Sequence, residues 1–117
     1  MKRVLLAGVL ALALAAPAVA KAPTTAVGVS EREYRIQPYR TSVKPGKVKF
    51  NVHNFGEDTH NLVVRGPKGY KATGPDVEAG QNASVTLTLR RTGTYTLICT
   101  KANHAQLGMK VRFKVKR

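Results

Sequence analysis

Between Val48 and Val115 apolar residues recur at every second position in run after run, a period of two that commits the chain to strands. Val48, Phe50 and Val52 alternate with Lys49, Asn51 and His53, and Val85, Leu87 and Leu89 alternate with Ser84, Thr86 and Thr88. Tyr95, Leu97 and Cys99 share one face of a run over 94–100. Met109, Val111, Phe113 and Val115 share one face of the last run, whose other face is a row of cations: Lys110, Arg112, Lys114 and Lys116. Leu62-Val63-Val64 reads as a short strand buried on both faces. Gly, Pro and Asn punctuate the gaps, and neither a helical period nor an internal repeat is present. Short strands joined by turns in a chain this size predict an all-β Greek-key sandwich or barrel of about seven or eight strands. One or two of them are expected within 25–43, where the alternation is weaker. The stretch 66–82 reads as a long connection with room for one short helical turn.

The first twenty residues stand apart from this pattern. Met1-Lys2-Arg3 is a basic start, Val4 to Ala16 is apolar, and Ala18-Val19-Ala20 ends in the small-x-small pattern of a signal-peptidase site. Residues 1–20 are therefore expected to be a signal peptide cleaved after Ala20, and 21–117 a single exported domain, periplasmic or extracellular. The alternative is an uncleaved anchor, since the apolar run sits at the short limit of the roughly 17–25 residues that span a bilayer.

The strand ending at Cys99 leads into Cys99-Thr100-Lys101-Ala102-Asn103-His104-Ala105-Gln106-Leu107-Gly108-Met109, a C-x4-H-x4-M spacing. It holds the only cysteine and the only internal methionine of the chain. An unpaired thiol in an oxidising compartment invites intermolecular disulfides unless it is ligated. Thiolate, thioether and imidazole together select copper over hard cations, and two imidazoles with one thiolate in a plane and a long axial thioether suit both Cu(I) and Cu(II). His60, Cys99, His104 and Met109 are accordingly the expected ligands of one mononuclear copper. Asn61 and Thr100, each directly after a ligand, are placed to join the two ligand segments by a hydrogen bond. The uncharged loop around His104 would form a small neutral surface from which an electron leaves by the ring edge. His53, on the polar face of its strand, reads as solvated, and so do Glu57 and Asp58 beside the site. Zinc is disfavoured because a thioether is a poor fourth ligand for it.

These residues resemble those of the cupredoxins, the small blue copper proteins of the plastocyanin/azurin type. Asp58-Thr59-His60-Asn61-Leu62-Val63 is similar to their His-Asn-aliphatic segment, and Gly93-Thr94-Tyr95-Thr96-Leu97-Ile98-Cys99-Thr100 to their Gly-x-Tyr approach to the cysteine. The C-x4-H-x4-M loop matches one of the ligand-loop lengths they use, and the likeness runs from about Pro45 to Lys116. It implies a Greek-key sandwich, one type 1 copper and electron transfer rather than catalysis. Two departures stand out. Thr59 precedes the first histidine where a Gly or Pro is frequent, and the loop lacks the Pro often found between Cys and His.

The formal net charge is +14, and residues 21–117, with 18 basic and 6 acidic side chains, carry +12. Such a field attracts acidic redox proteins or anionic membrane surfaces. Nucleic acid is the weaker expectation for an exported chain with no nucleic-acid module. A monomer is expected. No Ser/His/Asp set, carboxylate pair or phosphate-cradling loop points to an enzyme. A copper carrier or store would call for a Met/His-rich exchangeable site, which a single internal Met does not supply. A metal-free sandwich that binds an acidic partner through its cationic strand is the remaining alternative.

Overall fold

The computed structural model describes residues 4–18 and 22–117. The expected cleavage point after Ala20 and the basic start of the chain lie outside the described residues. Residues 4–18 form neither helix nor strand, and their large apolar side chains are 82–94% exposed, so none of them contributes to the core. No helix among the described residues is long and apolar enough to cross a membrane.

The alternating runs become strands close to where the pattern puts them. Nine strands are present among the described residues: β1 (Thr25–Arg32), β2 (Arg35–Pro38), β3 (Ser42–Val43), β4 (Gly46–Asn54), β5 (His60–Arg65), β6 (Lys71–Val77), β7 (Asn82–Leu89), β8 (Gly93–Ile98) and β9 (Lys110–Val115). They form two sheets, one ordered β2-β1-β4-β7 and the other β3-β9-β8-β5-β6. β1 lies parallel to β4 and β3 parallel to β9, so the chain crosses between sheets rather than running as a simple meander. The architecture is a β-sandwich. The connection 66–82 holds the expected helical turn at Pro67–Gly69, but it also holds β6, an edge strand. With Gly74 and Pro75 in its middle and one exposed face, β6 carries almost no apolar alternation to read.

Period two sends Val27, Val29, Val48, Phe50, Val52 and Leu89 inward from one sheet to meet Leu62, Val64, Tyr95, Leu97, Phe113 and Val115 from the other. Phe50 and Phe113 meet edge-on across the middle, ring centroids 5.5 Å apart. The cationic row of β9 lies on the outer face of its sheet. β9 is not a free edge along its whole length, because Ser42 and Val43 of β3 pair with Lys114 and Val115.

The inward registers of β1 and β4 end in polar residues. Glu31 follows Val27 and Val29, and Asn54 follows Val48, Phe50 and Val52; all are buried. Asn54 is fully used. Its Nδ2 donates to the carbonyls of Asp58 (2.7 Å) and Val77 (2.9 Å), and its Oδ1 accepts from Gly56 N–H (2.8 Å), which shapes the β4–β5 loop. Glu31 is fully buried and neither carboxyl oxygen has a hydrogen-bond partner. Desolvation pushes it up to about 8 from an ordinary 4.5, so it is predominantly protonated at pH 7. Folding then binds a proton between these two values, and linkage gives the sign: stability is greatest below about 4.5 and falls as pH rises to about 8. Glu31→Gln should lose that decline, which denaturant unfolding at pH 5, 7 and 9 will show as a stability difference between variant and parent that grows with pH.

Candidate metal centre

One end of the sandwich is built from the β1–β2 turn, the β4–β5 loop, the C-terminal end of β6 and the long β8–β9 loop. His60 opens β5 at this end, and the register of β5 against β6 shifts between Asn61 and Val63. The extra residue lies in β6, where Gly74 and Pro75 stand opposite Leu62 alone, so β5 keeps its alternation and is buried on both faces from His60 to Val64. Alternation along β5 turns His60 to the interior with Leu62 and Val64, and Asn61 to the other face, where it reaches the neighbouring segment. Asn61 Nδ2 donates to Thr100 Oγ1 (2.9 Å) and Asn61 Oδ1 accepts from Thr100 N–H (2.8 Å). These bonds take over where the β5–β8 ladder stops at Val63 and Ile98.

The β8–β9 loop is held by its own backbone. Cys99 N–H donates to Met109 C=O (3.0 Å) and Met109 N–H to His104 C=O (3.0 Å). His104 N–H donates to Lys101 C=O and Gly108 N–H to Ala105 C=O, so two tight turns supply the rigidity that a proline would otherwise give. Gly108 has φ +123°, and a Cβ there would lie 3.1 Å from the carbonyl oxygen of Tyr34, so glycine is required.

The structure brings together three of the four expected ligand side chains. His60, Cys99 and His104 are all buried and each offers one donor atom, all within 4.8 Å of one another. The two Nδ1 atoms are 3.2 Å apart, and Cys99 Sγ is 3.6 Å from His104 Nδ1 and 3.9 Å from His60 Nδ1. Met109 is fully buried and bonded through its backbone to the Cys99 and His104 segments. A donor set of one thiol and two imidazoles, with no carboxylate in the cluster, fits copper.

Carboxylates lie instead behind the rings. Glu33 Oε1 accepts from His60 Nε2 at 2.9 Å. An ionised carboxylate can only accept, so Nε2 carries the ring proton and the Nδ1 lone pair is free to bind a metal. Glu33 is held ionised, down to about 2, chiefly by the backbone N–H of Asp58, with Glu57 N–H and His60 adding to the effect. Burial is the main cause that holds His60 below the usual histidine range, hence neutral. Burial likewise pushes the Cys99 thiol up, so the proton must leave when metal binds.

Two expectations change here. Asp58 is not merely a solvated loop residue, because its Oδ2 lies 3.3 Å from His104 Nε2. The ring edge of His104 is also not open: the residue is 6% exposed, and the Tyr34 ring packs against it with centroids 5.2 Å apart. The β1–β2 turn and β4–β5 loop close over the imidazole, a contact between segments distant in sequence. His53 keeps to its outward face and stacks on Phe55. Thr59, in the place of the frequent Gly or Pro, donates its hydroxyl to Glu78 and so ties the loop to the end of β6. Glu33, Asn54 and Tyr34 were not singled out from the sequence. Asn54 and Glu31 alone leave a trace there, as polar residues continuing an inward register.

The sequence profile of the copper-binding proteins of the plastocyanin/azurin family matches residues 23–116. No curated protein sequence matches the chain. Among solved structures, a dithionite-reduced auracyanin from the photosynthetic bacterium Roseiflexus castenholzii superposes with a TM-score of 0.64 at 19% identity, over 84% of this chain and 100% of that one. Auracyanin A, described as a "blue" copper protein from the green thermophilic photosynthetic bacterium Chloroflexus aurantiacus, gives 0.66 at 20% identity, over 80% and 100%. A copper-containing nitrite reductase from Thermus scotoductus gives 0.56 at 16% identity, over 80% of this chain but 30% of the reductase. At these identities the likeness carries the fold.

The Glu33 contact has a measurable consequence. Its depressed value means that its stabilisation is fully present above about 4.5 and lost as pH falls toward about 2. Glu33→Gln should be less stable than the parent at pH 6, and the gap should close on acidification, as followed by urea unfolding from pH 6 to 2.5.

Proposed function

Since the chain belongs to the plastocyanin/azurin family of copper-binding proteins, and its cofactor is one type 1 copper, we propose that it is an exported carrier of single electrons between redox proteins. When bound, copper supplies the one-electron Cu(I)/Cu(II) couple. The ligands in this proposal are His60, Cys99, His104 and Met109. The observation that carries it is the triangle of two Nδ1 atoms and one sulfur, 3.2 to 3.9 Å apart in a buried pocket.

The residues around the triangle favour electron transfer over catalysis. Burial of all three donors keeps water from the site, and the bonds among Asn61, Thr100, Glu33 and the loop backbone keep the donors from rearranging when charge changes. Fast transfer needs such a fixed frame, acceptable to both oxidation states. The end face around His104 offers Tyr34, Phe55 and Leu107, which are 39%, 53% and 49% exposed. This apolar patch is the proposed contact for a partner. Acidic redox proteins are the proposed partners, drawn by the net charge of +14 on the chain.

The reading is tested by visible absorption of the copper-loaded protein. An intense thiolate-to-copper band is expected, bleached reversibly by a one-electron reductant and absent from Cys99→Ser while that variant remains folded. A colourless protein that has taken up one equivalent of Cu(II) would refute it.

A further inference from the structure

The charges are sorted by end. All six acidic residues of the chain lie at the end that carries the candidate metal centre. Glu31 and Glu33 sit at the β1–β2 hairpin, Glu57 and Asp58 in the β4–β5 loop, and Asp76 and Glu78 at the close of β6, beside His60 and Asn61. The opposite end is built from the β3–β4, β5–β6 and β7–β8 connections and the residues after β9, and it carries cations alone.

These cations form one continuous surface. A depression lined by Arg40, Lys44, Lys116 and Arg117 adjoins one lined by Lys68, Arg90, Arg91 and the same Arg117. Arg90 also lines a third, with Lys47, Ala22 and Thr24. No Asp or Glu side chain lines any of the three, and among the described residues none of these cations lies within ion-pair distance of a carboxylate. Holding so many like charges together opposes folding, and among the described residues no carboxylate pairs with them.

The chain enters the sandwich at this same pole. β1 starts at Thr25, beside Val48 near the start of β4, and Ala22 and Thr24 lie against Lys47 and Arg90. The apolar run of residues 4–18, whose large side chains are exposed, therefore precedes in the chain a strand that starts at the cationic end. An apolar segment followed by a pole of unpaired Lys and Arg is the arrangement that suits a bilayer bearing anionic headgroups, whose smeared negative potential attracts cations close to the surface.

We propose that the pole formed by Lys44, Lys47, Arg90, Arg91, Lys116 and Arg117 docks on an anionic lipid surface, with the metal-bearing end turned away from it. An acidic protein is the competing occupant, and in the chain that keeps residues 1–20 as an anchor the entry of the apolar segment at this pole favours lipid. The length of β4, nine residues, separates the two ends by roughly 25–30 Å. A molecule held by the pole therefore leaves its other end free to meet partners in solution.

The test is sedimentation of the full chain with vesicles of phosphatidylcholine alone and of phosphatidylcholine with 40% phosphatidylglycerol. Two quadruple variants with equal loss of charge are compared: Arg90→Ser/Arg91→Ser/Lys116→Ser/Arg117→Ser at the pole, and Arg32→Ser/Arg35→Ser/Lys101→Ser/Lys110→Ser at the other end. Circular dichroism and thermal melting establish that each is folded. If one set does not fold, the pairwise variants Arg90→Ser/Arg91→Ser and Arg32→Ser/Arg35→Ser replace it.

The parent should prefer the anionic vesicles and lose that preference as salt rises. Pole substitutions should weaken it by about fivefold for each cation removed, while the other set changes it much less. Equal binding to both vesicle types would assign attachment to the apolar segment alone and overturn the proposal. So would equal losses in the two variants, or pole substitutions that spare vesicle binding yet abolish binding to poly-glutamate, which would hand the surface to an acidic protein.

Discussion

The Asn61 side chain and Thr100 exchange two hydrogen bonds, and the site depends on this pair of contacts more than on any ladder. His60 and Cys99 arrive on strands whose pairing ends at Val63 and Ile98, just short of both donors. Without the side-chain bonds the two segments would be free to part where they must stay together. The alternation of β5 makes the bonds possible, since it sends His60 and Leu62 inward and Asn61 to the opposite face, level with Thr100 of the neighbouring segment. Neutral hydrogen bonds of this kind contribute only about 0.5–1.5 kcal/mol each. Their value lies in fixing a distance, and a buried triangle of donors has little tolerance for error.

Orientation comes from a second direction. Glu33 fixes the tautomer of His60 from behind the ring, and backbone N–H groups of Asp58 and Glu57 keep Glu33 ionised for that purpose. The same loop brings the Asp58 carboxylate to His104. Two of the six acidic groups, Glu33 and Asp58, thus have an imidazole partner at the metal-bearing end. Among the described residues Lys101 is the one lysine or arginine within ion-pair distance of a carboxylate, that of Asp76, and the other cations lie at both ends and over the outer sheet face.

Much of this was legible in the sequence, and the limits have physical causes. β4, β7, β8 and β9 announce themselves because one face of each is packed and the other wet, which is the condition that writes alternation into a strand, and β5 shows as a continuous apolar run because both its faces are buried. β6 is an edge with Gly74 and Pro75 at its centre and leaves no such mark. The loop ligands Cys99, His104 and Met109 lie within eleven residues, so covalent spacing alone brings them near. Glu33 touches His60 across 27 positions, and Tyr34 packs on His104 from another loop. Contacts of that range are set by how the two sheets stack, and no local pattern encodes them. Closure of the His104 edge by Tyr34 and Asp58 was missed for the same reason. The Asn61 and Thr100 bonds were accessible only because each residue follows a ligand directly.

The central claim is that these side chains converge on a single copper ion through one sulfur of cysteine and two imidazoles. X-ray absorption at the copper edge of the oxidised, stoichiometrically loaded protein tests it most directly. The account predicts a first shell of one short copper–sulfur contact and two nitrogens with imidazole outer-shell scattering, the sulfur contact vanishing in Cys99→Ser. A shell made only of nitrogen and oxygen in the unsubstituted protein would contradict it.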